Sequence, residues 1–258
     1  MLYRIILFIV AFTLFSQSAI ASPLANRLQQ YPQWDNKPPA KIARGDLYYP
    51  QWMAGTWSVE SILKEQIAPL APEVITPGFN DNQQYIDRPV TFLVRFETKD
   101  SKPEKRLFFQ QQNNARGNFV VADRVFNGTN IAAAYLGTNN VLKVTVDPEN
   151  PNRQLTLLNG DRKLISTVIK RASETLTERH FMTTEVTKQL FESPTRFYLN
   201  EVETTSDYQL IAPEKIQAQQ FTAIYLSPQD PDYFKAINRP VAIYRYQLNL
   251  NKEGIRDE

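Results

Sequence analysis

The side chains able to do chemistry are few, and most fall in one stretch. His180, in "ERHFMTTEV", is the chain's only histidine. Any Ser-His-Asp arrangement would have to use it. One imidazole would also suffice as an axial haem ligand. An ordinary strand histidine is the simpler reading and is preferred. Glu201, Glu203 and Asp207 follow at even spacing, which puts them on one face of a strand. Facing a cavity, such carboxylates could share acid–base work, one of them held protonated. Facing water they are a solvated outer face, the preferred reading, because like charges two residues apart are easier to keep in solvent.

Other chemistries are excluded or weak. There is no Cys, so disulfides, thiol catalysis and thiolate metal sites are ruled out. A single His makes a zinc centre unexpected. "DPENPNR" lacks the ligand ladder of a calcium loop and reads as a turn. Asn127-Gly128-Thr129 fits a glycosylation sequon, moot in a bacterial host. Gly is only 8 of 258 residues, which disfavours phosphate-cradling loops. Expected are no catalytic residue, no metal and no cofactor. A formal charge of +2 over 258 residues argues against a nucleic-acid partner.

The elements that must position these residues are strands. From Trp52 the hydrophobic pattern has period two. Val90, Phe92, Val94 and Phe96 alternate with polar neighbours. Leu142, Val144 and Val146 do the same in "NVLKVTVD", and Ala242, Tyr244, Tyr246, Leu248 and Leu250 share one face of the last strand. "KRLFFQQQ" and "NFVVADRVF" read as further strands; alanine-rich "GTNIAAAYLG" reads as a short helix or turn. Short strands with almost no helical period predict an all-β, antiparallel barrel of about 8–10 strands, closure hiding the sheet edges.

Domain limits follow from composition. Residues 1–21 read as a cleaved signal peptide: Arg4, the apolar run Ile5–Phe15, then Ala19-Ile20-Ala21 before Ser22. An 11-residue apolar core falls short of the roughly 20 needed to span a bilayer. Residues 22–50 are polar and Pro-punctuated, an expected extended arm with Trp34 as its tack. Residues 51–250 form the barrel and 251–258 a tail. The connection Glu65–Asp87 carries three Pro and also Leu70, Val74, Ile75 and Phe79. So apolar a loop must pack on something, and these four residues are the candidate lid over a cavity.

Gly55-Thr56-Trp57, at the start of the first barrel strand, resembles the Gly-x-Trp signature of lipocalins and related calycins. The resemblance implies a barrel floor built from Gly55 and Trp57, with Arg245 of the last strand packed across the ring. Ser206-Asp207-Tyr208 distantly resembles the lipocalin Thr-Asp-Tyr turn, and the oversized first loop resembles the lipocalin lid. A longer resemblance runs through "WMAGTWSVES", "APLAPEVITPGF", "DPENPNRQLTLLNGDRKLISTV", "NEVETTSDY" and "YLSPQDPDYFKAINRPVAIYRYQL". These blocks look like an uncharacterised exported family of cyanobacteria and plastid-bearing eukaryotes. That implies the thylakoid lumen or periplasm and no known activity.

Three functions stay open. The first is a non-catalytic, monomeric binding protein for a lipophilic pigment, lipid or isoprenoid. The second is an assembly or interaction factor for a photosynthetic (thylakoid) membrane complex, docking through the arm or through Tyr233-Phe234. The third, ranked last, is a calycin-type enzyme using His180, Glu201 and Glu203.

Overall fold

The structure, a computed structural model, describes residues 22–100 and 118–254. The signal-peptide reading of residues 1–21, the strand reading of "KRLFFQQQ" and the last residues of the tail lie outside them. Within them the chain is mostly strand. The strands are β1 (Lys41–Ile42), β2 (Gly55–Ile67), β3 (Pro89–Lys99), β4 (Phe119–Ala122), β5 (Val141–Val146), β6 (Arg153–Leu158), β7 (Arg162–Thr177), β8 (His180–Ser193), β9 (Arg196–Ala212), β10 (Lys215–Leu226) and β11 (Ala242–Lys252). The helices are α1 (Pro23–Gln29) and α2 (Arg124–Leu136).

One antiparallel sheet runs in the order β4-β3-β2-β11-β10-β9-β8-β7-β6-β5, with β1 paired to β7. The last strand therefore returns to lie beside β2, as in an up-and-down barrel. The expected closure is not made: among the described residues β4 and β5 end the order without pairing each other, and the sheet is a curled half-barrel. Helix α2 lies in that seam, against β3 on one side and β5 and β6 on the other. Asn127 shows how it protects the edge. Its side chain accepts from Arg95 N at 2.6 Å and donates to Arg95 O at 3.1 Å, the two bonds a neighbouring strand would make. Asp123, read as part of a strand, caps the helix by accepting from Phe126 N at 3.0 Å.

The concave face is apolar at both ends. At one end Trp57, Val59, Val94, Phe96, Phe181, Ile216, Leu248 and Leu250 pack with Met53 beneath them. At the other, Leu63, Ala242 and Tyr244 join the connection after β2. Leu142 departs from its expected inward alternation. A register shift between Val141 and Lys143 takes it out of the ladder, and it is 62 % exposed.

The arm is not an extended segment. Ser22 caps α1, accepting from Ala25 N at 3.1 Å, and Pro23 follows as the first helical residue. Leu24, Arg27 and Trp34 are buried. Trp34 packs with Phe221, Ala223, Tyr225 and Ile243 on the convex face.

Candidate functional site

The end marked by Gly55-Thr56-Trp57 is a solid closure. Trp57 is fully buried, and its indole N–H donates to Met53 O at 2.8 Å. The three residues Gln51–Met53 form the 3-10 turn that presents that carbonyl. Arg245 does not pack across the ring. It stands opposite Glu65 on β2, while Trp57 stands opposite Lys252. Arg245 Nε donates to Glu65 Oε2 at 3.1 Å, on the face that Tyr31 OH also reaches at 2.9 Å. The cation over Trp57 is Lys252, with Nζ 5.5 Å from the ring centroid. Gly55 makes room for it. Its φ is +113°, and a Cβ there would sit 3.0 Å from Lys252 Cε. Nothing local in the sequence marks Lys252; only the β2–β11 register brings it to the ring.

At the opposite end the connection after β2 folds back onto the sheet. Leu70 and Val74 are buried with Leu226, Ala236 and Val241. Phe79 faces Tyr244, ring centroids 6.0 Å apart. Ile75 takes no part and is 44 % exposed. Ser206-Asp207-Tyr208 is not a turn here but the middle of β9, opposite Phe181–Thr183.

Between the two ends the concave face changes character. Cross-strand pairing sets Ser206 opposite Gln220, Thr204 opposite Thr222 and Gln220 opposite Tyr246. Phe92, Thr204, Gln220, Thr222 and Tyr246 are only half-buried although they lie at mid-strand. Tyr135 of α2 reaches this belt: its hydroxyl is 3.0 Å from Ser61 Oγ, and its ring is 6.1 Å from Phe92. No residue of α2 is itself buried. Burial pushes the Tyr246 hydroxyl above the usual tyrosine range, so it stays a protonated hydrogen-bonding group.

His180, Glu201, Glu203 and Asp207 do share a face, but it is the convex one under the arm, and it is not simply solvated. Glu203 is 0 % exposed. Its Oε1 accepts from Arg27 Nε at 2.6 Å and Thr205 Oγ1 at 2.8 Å; its Oε2 accepts from Arg27 Nη2 at 2.6 Å and Tyr225 OH at 2.7 Å. Four bonds fill a carboxylate's acceptor positions. Burial, then the Glu203 charge, pushes the Tyr225 hydroxyl far up. Glu201 pairs with Lys37 at 2.6 Å, and His180 Nε2 lies 2.5 Å from Asp207 Oδ1. Arg27, the centre of this network, could have been found only through the Ser-Pro helix start that places it.

Among the described residues no group of three or more His, Cys, Asp or Glu side chains is placed to hold a metal ion. "DPENPN" is a turn, in which Asp147 Oδ1 accepts from Glu149 N at 3.0 Å. Asn127 of the sequon is committed to Arg95.

The fold and the concave face define a curled antiparallel β-sheet protein whose open side is spanned by a helix. A family model described as "Domain of unknown function (DUF6816)" matches residues 41–254, and the chain belongs to that family. No curated protein and no solved structure matches it.

Proposed function

We propose that this is an exported, non-catalytic, lipocalin-like binding protein for a lipophilic small molecule such as a pigment, lipid or isoprenoid. One observation carries the reading. The concave face is apolar at both ends, yet keeps Phe92, Thr204, Gln220, Thr222 and Tyr246 half-buried at mid-strand, beside a helix that buries none of its residues. A half-barrel filled by its own side chains and by the helix across its open side would bury these positions. Aromatic rings with a few convergent polar groups are the lining a small-molecule site uses. The leader-like residues 1–21 support export, to the thylakoid lumen or periplasm on the family resemblance. The four hydrogen bonds on Glu203 count against the enzyme reading. Native mass spectrometry of protein purified from its own source should show an adduct that organic extraction removes. Recovery of the bare chain alone, with no retained pigment or lipid, would overturn the reading.

A second reading, an interaction factor for a photosynthetic membrane complex, is favoured by Phe234. It is 81 % exposed on the turn Tyr233–Lys235 beside the lid end, stacked edge-on to Tyr233. The arm is a poorer docking element, because its apolar residues are already spent on the convex face. Affinity purification from membranes that recovers a complex lost in Phe234→Ser would support it; recovery of the monomer alone would count against it.

A further inference from the structure

Two buried side-chain oxygens among the described residues have no hydrogen-bond donor, Gln66 Oε1 and Asn200 Oδ1, although the Asn200 amide also lies beside the Tyr198 hydroxyl. Buried acceptors are nearly always paired, so each calls for a partner. Both belong to the lid end. Gln66 stands opposite Tyr244, the residue that packs on Phe79. Asn200 stands opposite Leu226, the residue that packs with Leu70 and Val74. Ile224 touches both groups of side chains, so one continuous apolar surface runs between the two acceptors.

The orientation of Gln66 is fixed. Its amide nitrogen donates to Phe79 O at 3.1 Å. Turning the amide over would set oxygen against oxygen, so the carbonyl is the end left free. Neither acceptor carries charge. An anion would meet only lone pairs there, and a cation would be desolvated with no counter-charge from the amides. The chemistry that fits is a neutral donor on an apolar body.

We infer that the lid end binds the hydroxyl head of a lipophilic alcohol. The hydroxyl donates to Gln66 Oε1 or Asn200 Oδ1, and the chain lies along the partly buried side chains of that end, Ile224 and Phe79, with Leu70 and Val74 packed behind them. The inference rests on the small-molecule reading above and names the ligand class. The site rejects a molecule lacking the donor more strongly than one of altered chain length, because an amide acceptor is left unpaired.

Isothermal titration of the purified protein with farnesol and with farnesyl methyl ether tests it. The alcohol should bind at least 10-fold tighter than the ether. Gln66→Met or Asn200→Leu should cut that preference below 2-fold while leaving ether affinity within 2-fold of the unaltered protein. Equal affinity for alcohol and ether, or a preference that survives both variants, overturns the donor assignment and leaves the binding reading standing; bridging water then satisfies the two oxygens. Failure of both compounds to bind overturns the inference and the binding reading together. The alcohol–ether comparison needs no variant, so a substitution that fails to fold does not blunt it.

Discussion

Arg27 of helix α1 and Glu203 of strand β9 meet 176 positions apart in a two-pronged ion pair, Nε and Nη2 each 2.6 Å from a carboxylate oxygen. Side-chain exposures of 3 % and 0 % make it a buried pair. The Arg27 guanidinium also lies 4.1 Å from the Trp34 ring centroid, and the Trp34 N–H donates back to Arg27 O at 2.8 Å. The arm is thus fastened to the convex face by a charge pair enclosed in aromatic rings.

The pair should be costly to break and cheap to replace. Arg27→Met strands a carboxylate in a dry site and is expected to destabilise by about 3 kcal/mol or more. Arg27→Met with Glu203→Leu removes both charges and should recover most of that loss. Urea unfolding of the two variants checks this. A double variant no more stable than Arg27→Met would mean that the network acts through something other than the unpaired charge.

The floor should depend on Lys252 and Gly55, not on Arg245. Gly55→Ala forces a side chain into φ +113° and against Lys252 Cε, so a loss of about 1–3 kcal/mol is expected. Lys252→Met should cost about 0.5 kcal/mol, since the ammonium lies at the surface. With Trp34 and Trp52 replaced by Phe, so that Trp57 alone emits, Arg245→Met should leave the emission maximum unchanged. A shift in that emission on adding Arg245→Met would contradict the register described for β2 and β11.

Part of this was legible in the sequence and part was not, for identifiable reasons. Alternation announced the strands because each has one face on the core. It placed Ala242, Tyr244, Tyr246, Leu248 and Leu250 together, and they are together on β11. Pattern alone could not tell a closed ring from a half-barrel, because the difference is a helix in the seam. Gly128 lies in that helix where a Cβ would come within 2.6 Å of the amide end of the flexible Gln154 side chain, so a residue that looks like a helix breaker sits at a close contact between α2 and β6. Glu203 was legible as one of an even-spaced set but not as buried. Its partner lies in an arm whose polar, Pro-rich composition hides a short helix. Arg245 was misplaced for a simpler reason: the bulge between Arg245 and Tyr246 and the β2–β11 register decide which cation of the last strand meets Trp57.

Asp123 should make α2 sensitive to acid. Burial alone would raise its carboxyl, but the Phe126 N–H and the Arg95 guanidinium outweigh burial and hold it below the usual carboxylate range. A depressed folded value stabilises above the unfolded value near 4 and is lost as pH falls through the lower folded one. Asp123→Asn can still cap the helix but cannot titrate. Its stability gap from the unaltered protein should be present at pH 7 and shrink towards pH 3. Asp123→Ala, which loses the cap as well, should cost about 1 kcal/mol at pH 7 by denaturant unfolding. A gap for Asp123→Asn that stays constant with pH would remove the ionised carboxylate from the account.

The lid residues should separate into two classes. Leu70 and Val74 are buried against Leu226, Ala236 and Val241, so truncation leaves cavities in a packed end. Leu70→Ala should cost about 2–3 kcal/mol and Val74→Ala somewhat less, by loss of apolar contact and the void left behind. Ile75 is 44 % exposed, and Ile75→Ala should stay within about 0.5 kcal/mol. Thermal unfolding orders the three variants. If Leu70→Ala were as mild as Ile75→Ala, the connection after β2 would be resting on the sheet without contributing to it, and the lid end would be open in solution rather than held shut by these side chains.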